Sequence, residues 1–499
     1  MRTIFQASLS AVSLYSEYFL GLLVSIIIAR TLSTEDYGVY SSVIWGAGLI
    51  TVAINAGLSI TVTKFVAEFS LKSEQVLLSF LAFIHHVLVK RIVIVVTLFL
   101  SLLLFDIKVM SAPLWLIITV LFCSIFKSFY IFKTSVFKGL QRFDVLAKTS
   151  MIANPFNLVC VVFCAYFFPS LESFVLAYCF ACLVFFFSVL HFNSQLPSLE
   201  KSGDLIVGHK SRIISQIYSA SVIIFFGAVV FRQSQVLVLE NSGFLSEAGY
   251  FNIAFILATS AVTLIPGIYQ AVLLPKITQS VGKANLKEGV LQAQRYLLIL
   301  CLLVLFPVLL YADVVIDILY GERYKDAVFA LQVIIILRVL VVINDAANLT
   351  LISNDRQKSM AKINFVIFIL ALLLSYLITP EFGVNGALVV YAVLIIILLL
   401  FYNRLAKRDG YCFMAWKVFF TILLSALFAL LPTLVINYYF KGVIVAIIGS
   451  AIYSIIYLNL LIVTKGYDSS VTNILKQLHS KSPSIIKGYL AWAIRQLST

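Results

Sequence analysis

Two stretches decide the fold: Leu32-Ser33-Thr34-Glu35-Asp36-Tyr37-Gly38-Val39-Tyr40, and Leu245-Ser246-Glu247-Ala248-Gly249-Tyr250-Phe251. Gly38 and Gly249, Asp36 and Glu247, and Tyr40 and Phe251 share one offset of 211 residues, as do Pro169 and Pro380. Arg142…Ala147-Lys148 matches Arg356…Ala361-Lys362 at an offset of 214. Matches that recur in the same order at nearly one offset argue for an internal duplication.

Around these stretches lie apolar runs long enough to cross a bilayer, which takes ~20 residues at 1.5 Å each. Of the 499 residues, 62% are hydrophobic and only 12% charged, where soluble domains carry about 25% charged. That excludes a soluble enzyme, a disordered chain and a disulfide-stapled secreted domain. The runs do not alternate in hydrophobicity as barrel strands do, so the expected fold is an all-α polytopic membrane protein. Fourteen spans are expected, from Val12–Ala29 to Val443–Val463. The first follows Arg2 and is read as a retained span, because no small-residue cleavage site follows it. Each duplicated unit holds six spans, an even number, so the two enter the membrane the same way round. The expected organisation is therefore an N-terminal lobe (1–212), a parallel C-terminal lobe (213–410), two further spans (411–464) and an amphipathic tail (465–499).

The formal charge of +14, from 36 Lys and Arg against 22 Asp and Glu, is read through the positive-inside rule and not as a sign of nucleic acid. Fourteen spans with both termini cytoplasmic put most of the basic residues inside. The stretch Val76–Val89, ending at Lys90-Arg91, is then an interfacial elbow before the span Ile92–Ile107, since an extra span would invert every later loop. The tail carries Ile485, Ile486, Tyr489, Leu490, Ala493 and Leu497 at helical spacing and is expected on the anionic inner leaflet. Cys179 and Cys182 have CxxC spacing within an apolar run, and they are read as small buried residues rather than as a redox or zinc pair.

Ala29-Arg30-Thr31-Leu32-Ser33-Thr34-Glu35-Asp36-Tyr37-Gly38 resembles the first-loop motif of Wzx-type polysaccharide flippases. Lys138-Gly139-Leu140-Gln141-Arg142-Phe143, Leu319-Tyr320-Gly321-Glu322-Arg323-Tyr324 and Pro380-Glu381-Phe382-Gly383-Val384-Asn385-Gly386-Ala387 resemble later motifs of that family. The resemblance runs from about residue 10 to 400 and implies a MATE-like architecture of two six-helix lobes around a cavity. It implies translocation of undecaprenyl-pyrophosphate-linked oligosaccharide units, of O-antigen or capsule type, across the bacterial inner membrane. Polysaccharide polymerase and chain-length proteins are the partners it implies.

The residues themselves point to transport. No GxxxxGK[ST] motif, nucleophile elbow or paired-carboxylate cluster occurs, and the expected outer loops are short, so no enzyme is expected. A charge within a span is costly and marks a functional candidate. Lys127 is placed near the cytoplasmic end of the span Pro113–Phe132, and Arg232 near the outer end of Ile213–Leu239. Arg338 lies near the middle of Val328–Leu351, where its guanidinium fork suits phosphate oxygens or, alternatively, a structural ion pair. Asn55, Gln233 and Gln235 are candidate sugar ligands, or else ties between helices. Glu17 and Asp345 are candidates for proton or sodium coupling, with no other cofactor expected. A multidrug exporter of the same scaffold and a lipid II flippase are the alternative readings.

Overall fold

Ser33 opens the first duplicated stretch as a helix cap: its hydroxyl accepts the Asp36 amide at 3.0 Å and donates to the Asp36 carboxylate at 2.7 Å. Glu35 and Asp36 add negative charge at the positive end of the helix dipole. The computed structural model describes residues 2–71, 73–104, 112–192, 207–231, 234–272, 286–345, 347–348, 351, 356–409 and 414–467, with isolated positions beyond. The expected tail helix lies almost wholly outside the described residues.

Sixteen α-helices run through the described residues: α1 (Arg2–Thr31), α2 (Thr34–Asn55), α3 (Leu58–Phe69), α4 (Glu74–Leu104), α5 (Leu114–Gly139), α6 (Phe143–Phe167), α7 (Leu171–Leu190), α8 (Lys210–Phe231) and α9 (Ser234–Asn241). There follow α10 (Leu245–Val272), α11 (Leu286–Leu310), α12 (Ala312–Tyr320), α13 (Ala327–Ile343), α14 (Gln357–Arg408), α15 (Trp416–Tyr439) and α16 (Val443–Val463). Ten are long and apolar enough to cross a bilayer, and α11 with α12, bent by 76°, makes an eleventh. Gly383, at φ +55°, breaks α14 into two arms. Counting those arms separately and adding α1 and α13 gives the expected number of about fourteen.

The first departure from expectation lies in α4. Val76–Val89 is not an elbow: α4 runs 31 residues without interruption and carries Lys90 and Arg91 inside it. The basic pair that reads as the junction of elbow and span is held within one helix, where Arg91 meets the Ala56 carbonyl and the Ser221 hydroxyl.

Two compact units emerge from internal packing, 1–260 with 354–402, and 261–353 with 403–499. In the first, the duplication is visible as contact. Gly38 is the fifth residue of α2 and Gly249 the fifth of α10. A side chain at Gly38 would overlap the Leu245 carbonyl, and one at Gly249 would stand 3.2 Å from the Thr34 oxygen. Ser41 accepts a 2.7 Å bond from Asn252, again 211 residues away. Residues made equivalent by the repeat touch each other, as happens on a local two-fold axis.

In the second unit, α16 is fastened to α11. The Tyr453 hydroxyl donates to the Leu302 carbonyl at 2.9 Å, and Arg295 donates to the carbonyls of Gly466 and Lys465 at 2.7 and 3.2 Å. These two carbonyls lie just past the end of α16 at Val463, so the guanidinium satisfies backbone acceptors that the helix itself leaves open. On α15, Phe420, Leu424, Phe428, Leu431 and Val435 form an exposed stripe, while Ala426, Ala429 and Thr433 are buried. Large side chains toward lipid and small ones toward protein is the pattern of membrane helix packing.

Candidate functional site

Lys127 is the fourteenth of the 26 residues of α5. The sequence places it near the end of a span, but the helix continues through Lys133, Thr134, Ser135 and Lys138 to Gly139. Its ammonium lies 3.5 Å from the ring centroid of Phe185 on α7 and 5.1 Å from that of Tyr130. The two rings are 4.9 Å apart. Such an arrangement stabilises a desolvated cation by ~0.5–2 kcal/mol, yet ring faces supply no oxygen lone pair to its N–H groups. The Tyr130 hydroxyl meets Thr149 and Ser150 of α6, which adds polar groups beside the cation.

Glu17 on α1 is in electrostatic contact with Tyr130 and with Lys138. Lys127 and Lys138 are eleven residues apart, about three helical turns, so they share one face of α5. Near Glu17, Asn154 of α6 approaches the Ser16 hydroxyl at 3.5 Å. Helices α1, α5, α6 and α7 thus assemble a strip of one carboxylate, two ammonium groups and several hydroxyls.

Arg91, which the sequence places at the end of an elbow before the span Ile92–Ile107, is the eighteenth residue of α4. Its guanidinium donates to the Ala56 carbonyl at 2.5 Å and to the Ser221 hydroxyl at 2.9 Å, and Ser221 donates to the same carbonyl at 2.7 Å. Ala56 is exposed to these donors because α2 stops at Asn55 and Gly57 turns left-handed at φ +71°. A side chain on Gly57 would lie 2.5 Å from the Ser221 amide and 2.6 Å from the Ile217 carbonyl. The break therefore requires glycine, and Arg91 satisfies the carbonyl that it frees. Asn55, beside it, is buried and donates to the Thr51 carbonyl at 3.1 Å; among the described residues its side-chain oxygen has no partner. The signal for this knot in the sequence was the Asn55-Ala56-Gly57 triplet interrupting an apolar run.

Gln235 is buried between Ser375, to which it donates at 3.0 Å, and Thr379, whose hydroxyl stands 3.5 Å from its oxygen. Arg232 and Gln233 lie outside the described residues. In the second unit, Arg338 is half-buried on α13, and Asp345 is hydrogen-bonded to Asn348 and within electrostatic reach of Arg338. The expected span Val328–Leu351 is interrupted: α13 ends at Ile343, the Asn344 amide closes the turn on the Leu340 and Val341 carbonyls at 3.2 and 3.1 Å, and the described positions Asp345, Ala347, Asn348 and Leu351 are helical again.

The motif residues are turn and packing devices. Arg142 grips Asp144 through two bonds of 2.9 and 3.0 Å at the α5–α6 turn. Tyr320 and Tyr324, both fully buried, pack edge to face at 6.1 Å across Gly321, whose φ is +93°. The exposed Lys325 ammonium, 2.6 Å away, holds the Glu322 carboxyl below its usual range. At the kink in α14, Glu247 of α10 accepts the Val384 amide and so caps the second arm.

The model of a family described as "Polysaccharide biosynthesis protein" matches residues 27–329. The chain belongs to this family. No curated protein sequence matches it. Among solved structures, the family member is similar to the lipid II flippase MurJ in an inward closed conformation, at 15% identity and TM-score 0.70 over 91% of this chain and 97% of that one. It is also similar to inward- and outward-facing forms of a multidrug resistance MATE family transporter of the MOP superfamily. Their identities are 13% and 11%, with TM-scores of 0.61 and 0.58, covering 81% and 82% of this chain and 98% and 95% of those. At such identities the likeness establishes the fold, which together with the apolar helices is that of a multi-pass membrane protein.

Proposed function

We propose that this polysaccharide biosynthesis family member is a flippase for a polyprenyl-pyrophosphate-linked oligosaccharide, of O-antigen or capsule type, in the bacterial inner membrane. The observation that carries the reading is the family match over residues 27–329 in a chain with the fold of a lipid-linked-substrate flippase. The charges are consistent with it: Lys127 within α5 and Arg338 within α13 are cations suited to a diphosphate, and a guanidinium fork pairs with phosphate oxygens in two directions. The protein's task is to keep phosphates and hydroxyls out of hydrocarbon, where each unsatisfied polar group costs several kcal/mol. The polyprenyl tail stays in lipid while two six-span lobes alternate in their access, and no bond is made or broken. Both termini are cytoplasmic in this reading. Glu17 and Asp345 are the carboxylates placed to couple transport to protons or sodium, and a polymerase acts on the product outside.

The test is to shut off expression and probe membrane vesicles of known sidedness with a glycosidase. Lipid-linked glycan should accumulate in the inner leaflet and surface polysaccharide should disappear. Accumulation in the outer leaflet would contradict the reading. Loss of resistance to cationic drugs with glycan export intact would favour a multidrug exporter instead.

A further inference from the structure

Within the first unit, α8 and the first arm of α14 enclose a cavity of about 650 Å³ whose walls include Ser215, Tyr218, Phe226, Lys358, Lys362 and Phe365. Lys358 and Lys362 are one helical turn apart, both exposed, and so project their ammonium groups from one face. Opposite them stand the hydroxyls of Ser215 and Tyr218, also exposed. Further along the same two helices the lining becomes aromatic: Phe226 packs against Phe365 at 5.2 Å and against Phe368 at 4.7 Å. The helices are tied at this level, because Asn364 donates to the Ile223 carbonyl at 3.2 Å and accepts from Tyr402 at 2.8 Å. The cavity is therefore built into a fixed helix pair, with two cations and hydroxyls at one end and an apolar wall at the other. None of its residues has a part in the transport chemistry described above.

We infer that this cleft binds an anionic glycerophospholipid, its phosphate between Lys358 and Lys362 and its upper acyl chains against Phe226 and Phe365. Charge complementarity selects the ligand. A zwitterionic headgroup brings its own cation to the two lysines, whereas an anionic one does not, and basic pockets between membrane helices take anionic headgroups for that reason. The apolar wall selects a lipid over a free phosphate ion, because each acyl methylene buried against it adds to the affinity. On the proposed topology the lysine end meets the inner leaflet, but binding itself does not depend on the transport reading.

The experiment is native mass spectrometry of the purified full-length chain in detergent, titrated with phosphatidylglycerol or with phosphatidylcholine. Each Lys near an anionic surface contributes about 1 kcal/mol, so the double variant Lys358→Gln/Lys362→Gln should retain phosphatidylglycerol roughly ten- to thirtyfold less well. Lys358→Arg/Lys362→Arg should retain it as the wild type does, and so should Lys407→Gln/Arg408→Gln, which removes two basic residues elsewhere. Equal retention by the Gln variant would overturn the inference. So would equal binding of phosphatidylcholine, displacement of the lipid by an equal concentration of inorganic phosphate, or the same loss in the Lys407/Arg408 control. The assay has no sidedness and no glycan, so its failure leaves the flippase proposal standing, and failure of transport leaves this one standing.

Discussion

Arg91 and Lys127 both lie well inside long apolar helices of the first unit, and their surroundings differ in kind. The Arg91 donors end on fixed acceptors, the Ala56 carbonyl and the Ser221 hydroxyl, at a helix break that needs Gly57. Lys127 faces the rings of Phe185 and Tyr130, which stabilise its charge but leave its hydrogen-bonding capacity to be met by oxygen ligands. A charge in a membrane helix is thus not one category. Where its donors end on fixed protein acceptors it holds the scaffold; where it meets ring faces, as Lys127 does, it takes the substrate's anion in the proposed flippase.

Substitutions ranked by free energy can break this contrast. Gly57→Val has the largest expected effect. It forces a β-branched residue into left-handed backbone, at about 1–2 kcal/mol, and drives a side chain into the α8 backbone besides. Its membrane abundance should collapse; normal abundance would show that α8 is not packed on the break. Arg91→Ala removes two charged hydrogen bonds and should cost ~1–3 kcal/mol, seen as a lower melting temperature and reduced abundance. Export per folded molecule should stay near wild type, and a stable Arg91→Ala protein that fails to export would reverse the two roles. Lys127→Ala should leave abundance and melting temperature unchanged and lower export about tenfold, or ~1.4 kcal/mol. Lys127→Arg should restore part of it, because the guanidinium also stacks on aromatic faces. At the small end, Glu322→Gln removes one partner of an exposed ion pair and should change neither stability nor export measurably.

Much of the fold was legible because it is written in spacing. The offset of 211 between Gly38 and Gly249 is read directly, and contact between the two glycines follows from what a duplication does at its axis. The first-turn acids and Ser33 similarly announce the start of α2. Arg91 was not legible as an interior residue. Its partners stand 35 and 130 positions away in the chain, and hydropathy scores a side chain without knowing what will accept its protons. Counting basic residues by side then rewards assigning Lys90-Arg91 to a cytoplasmic elbow, which is how one helix was divided in two. The length of α5 beyond Lys127 was hidden for a related reason. Polar residues from Lys133 to Lys138 end the apolar run but not α5, since Thr134 and Ser135 return their hydroxyls to the helix's own carbonyls at 3.0 and 2.7 Å. The turn after Ile343 was passed over because the expected span was carried through Asn344-Asp345 to Leu351.

The most direct test uses proteoliposomes loaded with a fluorescent undecaprenyl-pyrophosphate-linked oligosaccharide, with leaflet exposure read by a membrane-impermeant glycosidase. Wild-type protein should bring the protected half of the glycan into reach of the enzyme. Lys127→Ala should do so about tenfold more slowly per folded molecule, and Arg91→Ala at the wild-type rate. Glycan that stays protected with folded wild-type protein and an imposed proton or sodium gradient, or an unchanged rate in Lys127→Ala, would contradict the account.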